Sequence, residues 1–274
     1  MKRLFNALCD NTKQVIETFI LILCLVLPFI IDAAKVFLPY TQENTPEPSN
    51  IILIGAIKVG NWAIALVLFI IILWRIRSHN KDYIMNESNR YHDYPYSWYW
   101  YCSKILGIMK CNLVLVPIYM QFLLVIRNTF AEYPLHEEDY PIIESERSSV
   151  SVINQNASES EINLILEDTY PIVDIPATKR QLKTIKILRS DSDNCGRHFS
   201  EQFIEEIINA VRKENEDITI NIFATTNPMN TLNIARRVFM TANRANVKHL
   251  YVFQQNKNMA SNRRKFENYG HKIY

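Results

Sequence analysis

Hydrophobic positions cluster in the first 130 residues of the chain and are spaced out in the rest. Val15 to Ile31 carries one charge, Glu17, and with the residues to Leu38 is long enough to cross a bilayer over 15–38. Ile51 to Trp74 carries one charge, Lys58, and predicts a second span over 51–74. The first run is too long for a signal peptide, and no small-x-small cleavage site follows it. A third apolar stretch, 105–126, is interrupted by Lys110, Asn112, Pro117 and Gln121. Tyr94, Tyr96 and Trp98 to Tyr101 precede it, and Phe130 and Tyr133 follow, as in the aromatic belts of a spanning helix. That spacing predicts a third span; a re-entrant or interfacial helix is the other reading.

Past residue 161 the periods are those of a folded domain. Leu182–Leu188 alternates as a strand. Phe199–Arg212 sets Phe203, Ile204, Ile207, Ile208 and Val211 at helical spacing behind a Ser200 cap. Ile218–Phe223 is a second strand. Asn227-Pro228 opens a helix to about Asn243, with Leu232, Ala235, Val238, Phe239 and Ala242 on one side. Val247–Phe253 is a third strand, and residues 257–268 form a basic, helical tail. The fold class is a membrane protein of two or three transmembrane α-helices with a small C-terminal β-α-β-α-β domain. The expected division is a transmembrane region 1–130, an acidic flexible linker 131–161 rich in Glu, Ser and Asn, and an α/β domain 162–274.

Charge placement then orients the chain. The 30 basic and 28 acidic residues leave +2 overall, so no polyanion field exists and nucleic acid is not an expected partner. Lys2, Arg3 and Lys13 put the N-terminus inside, the loop 39–50 has no basic residue, and Arg75, Arg77, Lys81, Arg90, Lys104 and Lys110 return the chain inside. If 105–126 spans, the C-terminal domain of this multi-pass inner-membrane protein is periplasmic or extracellular; if it does not, the domain is cytosolic. Asp32 and Lys58 fall at similar depth in the first two spans. They form a structural ion pair, or Lys58 snorkels, or they couple to an ion or proton.

Candidate chemistry in the domain is sparse. Asp191, Asp193, Cys195 and His198 match no metal-site spacing and suit a polar turn, so no metal is expected. Cys195 with His198 lacks an orienting third group, and Gly196 is the one glycine in the relevant loops, so no cofactor or phosphate cradle is expected. No catalytic constellation stands out. The cysteines are Cys9, Cys24, Cys102, Cys111 and Cys195, and one cysteine in the domain allows no internal disulfide there.

One family-level likeness follows from the later motifs. Ala224-Thr225-Thr226-Asn227 ends a strand, Leu232-Asn233-Ile234-Ala235-Arg236 opens a helix, and Asn262-Arg263-Arg264 comes late. From Leu182 on, this resembles the OmpA-like peptidoglycan-binding domain also found in flagellar stators, with Asn227 where that family has Asp and Ala224 where it has Gly. The resemblance implies a ligand-binding set of Arg236, Asn227 and Thr226, with Arg236 beside a helix start suited to an anion. It implies a non-enzymatic envelope protein whose partners are peptidoglycan or other envelope proteins. The alternative is a membrane-anchored cytosolic domain that senses a nucleotide-type ligand, as a receptor or pore-forming effector. The bilayer is a partner under both, and self-association into a homo-oligomer is compatible with both.

Overall fold

The computed structural model describes residues 2–36, 48–142, 147–157, 160–190, 197–240, 247–256 and 265–274; at 2, 35, 36, 48–58 and 190 it describes the backbone alone. The chain forms two compact units, Met1–Met85 with Tyr94–Lys110, and Asn86–Asp93 with Cys111–Tyr274.

The first unit is helical: α1 (Lys2–Asp10), α2 (Thr12–Ile30), α3 (Pro48–Asn80) and α4 (Tyr96–Lys104), with the two-residue strand β1 (Ile84–Met85). Thr12–Ile30 and Val59–Asn80 are long and apolar enough to cross a membrane, and only 22% and 11% of those stretches are buried. Nineteen residues rise about 28 Å, close to the thickness of a hydrocarbon core. Phe19, Ile30, Trp62, Ile70 and Trp74 point outward and are exposed, which suits lipid and not water.

The inward face of α2 carries Gln14, Glu17, Leu21 and Pro28. Asn80 donates to Glu17 Oε2 at 2.9 Å and to the Leu106 carbonyl at 3.0 Å. At the other end Ala34 N–H donates to Asn61 Oδ1 at 2.9 Å, and a Cβ on Gly60 would meet Ala34 Cβ at 2.8 Å, so glycine permits that approach. Asp32 turns the chain with φ +47 and accepts a 3.4 Å bond from Asn61. The Lys58 side chain of the expected pair lies outside the described residues.

The expected third span, 105–126, is not a continuous helix. Gly107 bends the chain at φ +76, the two-residue strand β2 (Lys110–Cys111) follows, and Pro117 precedes α5 (Ile118–Ile126). Nine residues rise only about 14 Å, well short of a bilayer. Residues 119–126 are all buried inside the second unit. The stretch is apolar on every side because protein surrounds it.

The second unit holds a six-stranded sheet in the order β3-β5-β4-β6-β7-β8. Its strands are β3 (Arg147–Ile153), β4 (Glu161–Glu167), β5 (Lys183–Ser190), β6 (Ile218–Ala224), β7 (Val247–Phe253) and β8 (His271–Lys272). β4, β5, β6 and β7 are mutually parallel, and β3 and β8 close the two edges antiparallel. The expected linker 131–161 is therefore partly sheet. β3 pairs with β5 over seven residues while its side chains stay mostly exposed, so backbone hydrogen bonds hold it and its polar composition conceals it. β4, not anticipated from the sequence, is a central strand, with Ile162, Leu164 and Leu166 fully buried.

Two helices connect these strands. In α6 (Glu201–Arg212), Ser200 Oγ accepts from Phe203 N–H at 3.2 Å, as its capping position predicts. In α7 (Pro228–Ile234), Asn227 caps Asn230 N–H, and Ala235–Met240 continues as a wider π-type turn. α6 packs against β3, β5 and α7, and α5 packs against α7 and β7. The opposite face of the sheet is sealed by Ile165, Ile172, Phe223, Phe253 and Phe266. Residues 257–264 of the expected helical tail lie outside the described residues. Its remainder is not helical: Phe266 bridges to Gln255.

Two measurements check this packing. Val238 is 1% exposed, so Val238→Asp buries an unpaired charge and lowers stability by roughly 3 kcal/mol or more, read from the urea midpoint of the full chain in detergent. A wild-type midpoint would refute the inward facing of the Ala235–Met240 turn that continues α7. Cys102 is buried and its thiol is pushed up by burial and by Glu17, whereas Cys9 is exposed. Maleimide at neutral pH should therefore label Cys9 in the folded chain and Cys102 only after denaturation.

Candidate functional site

β4 is the first of the parallel strands. The chain leaves it toward β5 on one side, then returns through α6 to β6 on the other. The carboxyl ends of β4 and β6 thus mark a topological switch point, where open α/β sheets place ligands. Here the crevice is filled by side chains. Asp168, one residue past β4, accepts from Arg189 Nε at 2.5 Å, from Asn227 N–H at 2.8 Å and from Asn230 Nδ2 at 2.9 Å. The Asp168 and Arg189 side chains are 0% and 1% exposed. Burial pushes the Asp168 carboxyl up, and the Arg189 guanidinium and amide donors pull it back. Arg189 Nη1 also lies 3.3 Å from His198 Nδ1. Asn227 and Asn230 both donate to the His198 carbonyl, at 2.7 and 3.0 Å.

This network places two of the expected ligand residues. Asn227 is buried, with its amide committed to His198 and its oxygen to the cap. Thr226 is buried, its hydroxyl 2.7 Å from Thr231 Oγ1. Arg236 stands elsewhere. It lines a cleft of about 590 Å³ with Glu137, Tyr140, Ile142, Phe199, Leu232 and Asn233. Its guanidinium carbon is 5.8 Å from the centre of the Tyr133 ring. Its neighbour Arg237 is bound by Glu201 at 2.6 Å, whereas Arg236 has no ion-pair partner among the described residues. Met229, Leu232, Asn233 and Arg236 line the cleft at helical spacing. The second wall comes from 137–142, anchored by buried Tyr140 and by the bridge of Ile142 to Phe199. Burial pushes the Tyr140 phenol up and nearby Arg197 pulls it back.

The sequence pointed to Arg236 through the motif likeness to OmpA-like domains, which grouped it with Asn227 and Thr226; the structure sets it apart from both. The sequence pattern missed Asp168 and Arg189 with the strand β4, and Glu137 and Tyr140 because their segment reads as a linker. Of the metal candidates Asp191, Asp193, Cys195 and His198, only His198 is among the described residues, and no group of three metal-ligating side chains occurs among those residues. The late Asn262-Arg263-Arg264 motif lies outside them too.

Removing one partner of a buried pair strands the other charge. Arg189→Ala should destabilise the folded chain by about 3–5 kcal/mol, while Asp168→Leu with Arg189→Met loses less than the single substitution. Thermal unfolding of the three proteins checks this. Equal losses in both variants would mean that the pair contributes by shape alone.

Comparison with known proteins agrees with the hairpin and not with the resemblance to OmpA-like domains. No curated protein matches the chain. A family model does, over residues 1–273, and its two-transmembrane architecture corresponds to the two apolar helices α2 and α3. This full-length match overturns the OmpA-like reading, which rested on short motifs shared with any strand-helix-strand domain. By this match the chain belongs to the SMODS- and Ubiquitin system-associated 2TM effector domain family and is a membrane-associated effector domain.

Proposed function

We propose that the chain is a two-helix effector of the cytoplasmic (inner) membrane, with its α/β unit in the cytosol as a receiver for a small ligand. The observation that carries this is the count of spans. With two crossings, the basic residues before α2 and after α3 fall on one side, and the loop 39–50, which has none, falls on the other. The N-terminus and the α/β unit are then both cytoplasmic. The family's printed role as an effector supports an output at the membrane.

We take that output to be loss of the membrane barrier. Two helices do not enclose an aqueous path, so copies of the chain must assemble side by side to make one. The same physics favours such a mechanism: each chain brings two lipid-compatible helices, and confinement to a bilayer raises the encounter frequency of copies.

Reporters test the orientation. A fluorescent protein that matures only in the cytosol, fused after Tyr274, should be bright, and alkaline phosphatase inserted at residue 44 should be active. An active phosphatase after Tyr274 would refute the cytosolic placement. Induced expression of the full chain should admit a membrane-impermeant dye to cells; intact exclusion at saturating expression and across a ligand panel would refute barrier loss.

A further inference from the structure

The helix α1 belongs to neither span, and its surface is divided in two. Leu4, Phe5 and Leu8 stand at i, i+1 and i+4 and share one side, whereas Arg3, Asn6 and Asp10 stand at i, i+3 and i+7 and share the other. The polar side is tied to the rest of its unit, because the Tyr94 hydroxyl donates to Asp10 Oδ2 at 3.2 Å. Ala7 is buried, but the larger apolar side chains are not: Phe5 is 67% exposed, and Leu4 and Leu8 are exposed beside it. Three adjoining apolar side chains are unfavourable in water and call for a cover.

Position decides what that cover is. α1 ends at Asp10 and α2 begins at Thr12, so one residue separates this face from a helix that enters the bilayer. Asn11 leaves the helical conformation, at φ −119 and ψ 54, which makes α1 a helix of its own and not the first turns of the span. Ile16, Phe19 and Ile20 carry the exposed apolar surface on into α2. α4 is held at the same end of α2, with the Thr18 and Tyr101 hydroxyls 2.8 Å apart, and it exposes Trp100, a residue type that gathers at headgroup depth. Lys2 and Arg3 open α1, and Arg3 is exposed. We infer that α1 is an interfacial helix docked on the cytoplasmic leaflet, with Leu4, Phe5 and Leu8 among the outer acyl carbons and Arg3 at anionic phospholipid headgroups. Apolar contact sets the depth of such a helix, and its cations favour anionic lipid. The choice of leaflet rests on the orientation proposed above; the docking itself rests on the two sides of α1 and on its junction with α2.

A dye on Cys9 reads the docking, because Cys9 is exposed and stands four residues after Phe5 on the same side of α1. The full chain with Cys195→Ser is labelled with bimane in detergent, then reconstituted into phosphatidylcholine vesicles with or without phosphatidylglycerol. Brominated phospholipid should quench the dye strongly, and iodide on both sides of the membrane should quench it weakly. Leu4→Gln, Phe5→Gln and Leu8→Gln together should reverse that order, while α2 and α3 keep the variant in the vesicles. Phosphatidylglycerol should strengthen the lipid quenching of the wild-type helix, and Arg3→Gln should lose that gain. Iodide quenching as strong in the wild-type helix as in the triple variant would overturn the docking. Weak quenching by both reagents that gives way to iodide quenching as the protein is diluted in lipid would also overturn it, since a second copy would then be the cover. An equal response of the wild-type helix to the two lipid compositions would overturn the role of Arg3. Strong lipid quenching together with an active phosphatase after Tyr274 would overturn the choice of leaflet alone.

Discussion

The buried pair of Asp168 and Arg189 fixes the α/β unit more than any other contact. Two charges withdrawn from water lose several kcal/mol of hydration each, and only close geometry with further hydrogen bonds compensates. Here Asp168, just past β4, is met by a guanidinium from β5 and by a backbone N–H and a side-chain amide from the start of α7. β4, β5 and the start of α7 cannot shift separately without stranding one of those charges. That constraint also sets where a ligand can go. The crevice at the switch point is filled, and a cleft opens instead along α7 and the turn after it, where Arg236 stands.

The helical unit obeys the opposite constraint. Its two long helices leave their apolar side chains uncovered and keep polar contacts to narrow inward positions, Asn61 with Ala34 at one end and Asn80 with Glu17 at the other. Such an arrangement is unstable in water and at ease in lipid, where outward polar groups are the costly ones. The buried polar contacts fix the register of the hairpin, which leucine-on-leucine packing alone would leave loose.

How far the sequence revealed this depended on whether side chains or backbone decided each element. α6, β6 and β7 were legible because their burial follows the helical or alternating period and Ser200 marks a start. Arg236 was singled out by a motif likeness that the family match overturns, and the structure sets it in a cleft apart from Asn227 and Thr226. β3 was hidden because an edge strand is held by main-chain bonds and keeps polar residues such as Ser149 and Ser151 outward. β4 was hidden because Asn163 and Glu167 interrupt its apolar run, although both are buried and bonded: Asn163 to Thr184, and Glu167 to Lys186 and the Ile172 N–H. α5 was misassigned because a short helix wrapped in protein and a helix wrapped in lipid have the same composition. Arg189 resembled a solvent-facing charge at the end of an alternating strand, and its partner lay in the strand that was missed.

The division of the chain into units has a genetic corollary. Residues 86–93 and 111–274 belong to one unit and 94–110 to the other, so the backbone passes between them three times. No single cut or crossover in the gene would therefore separate the two units into independently inherited modules, because each is built from segments that alternate along the chain.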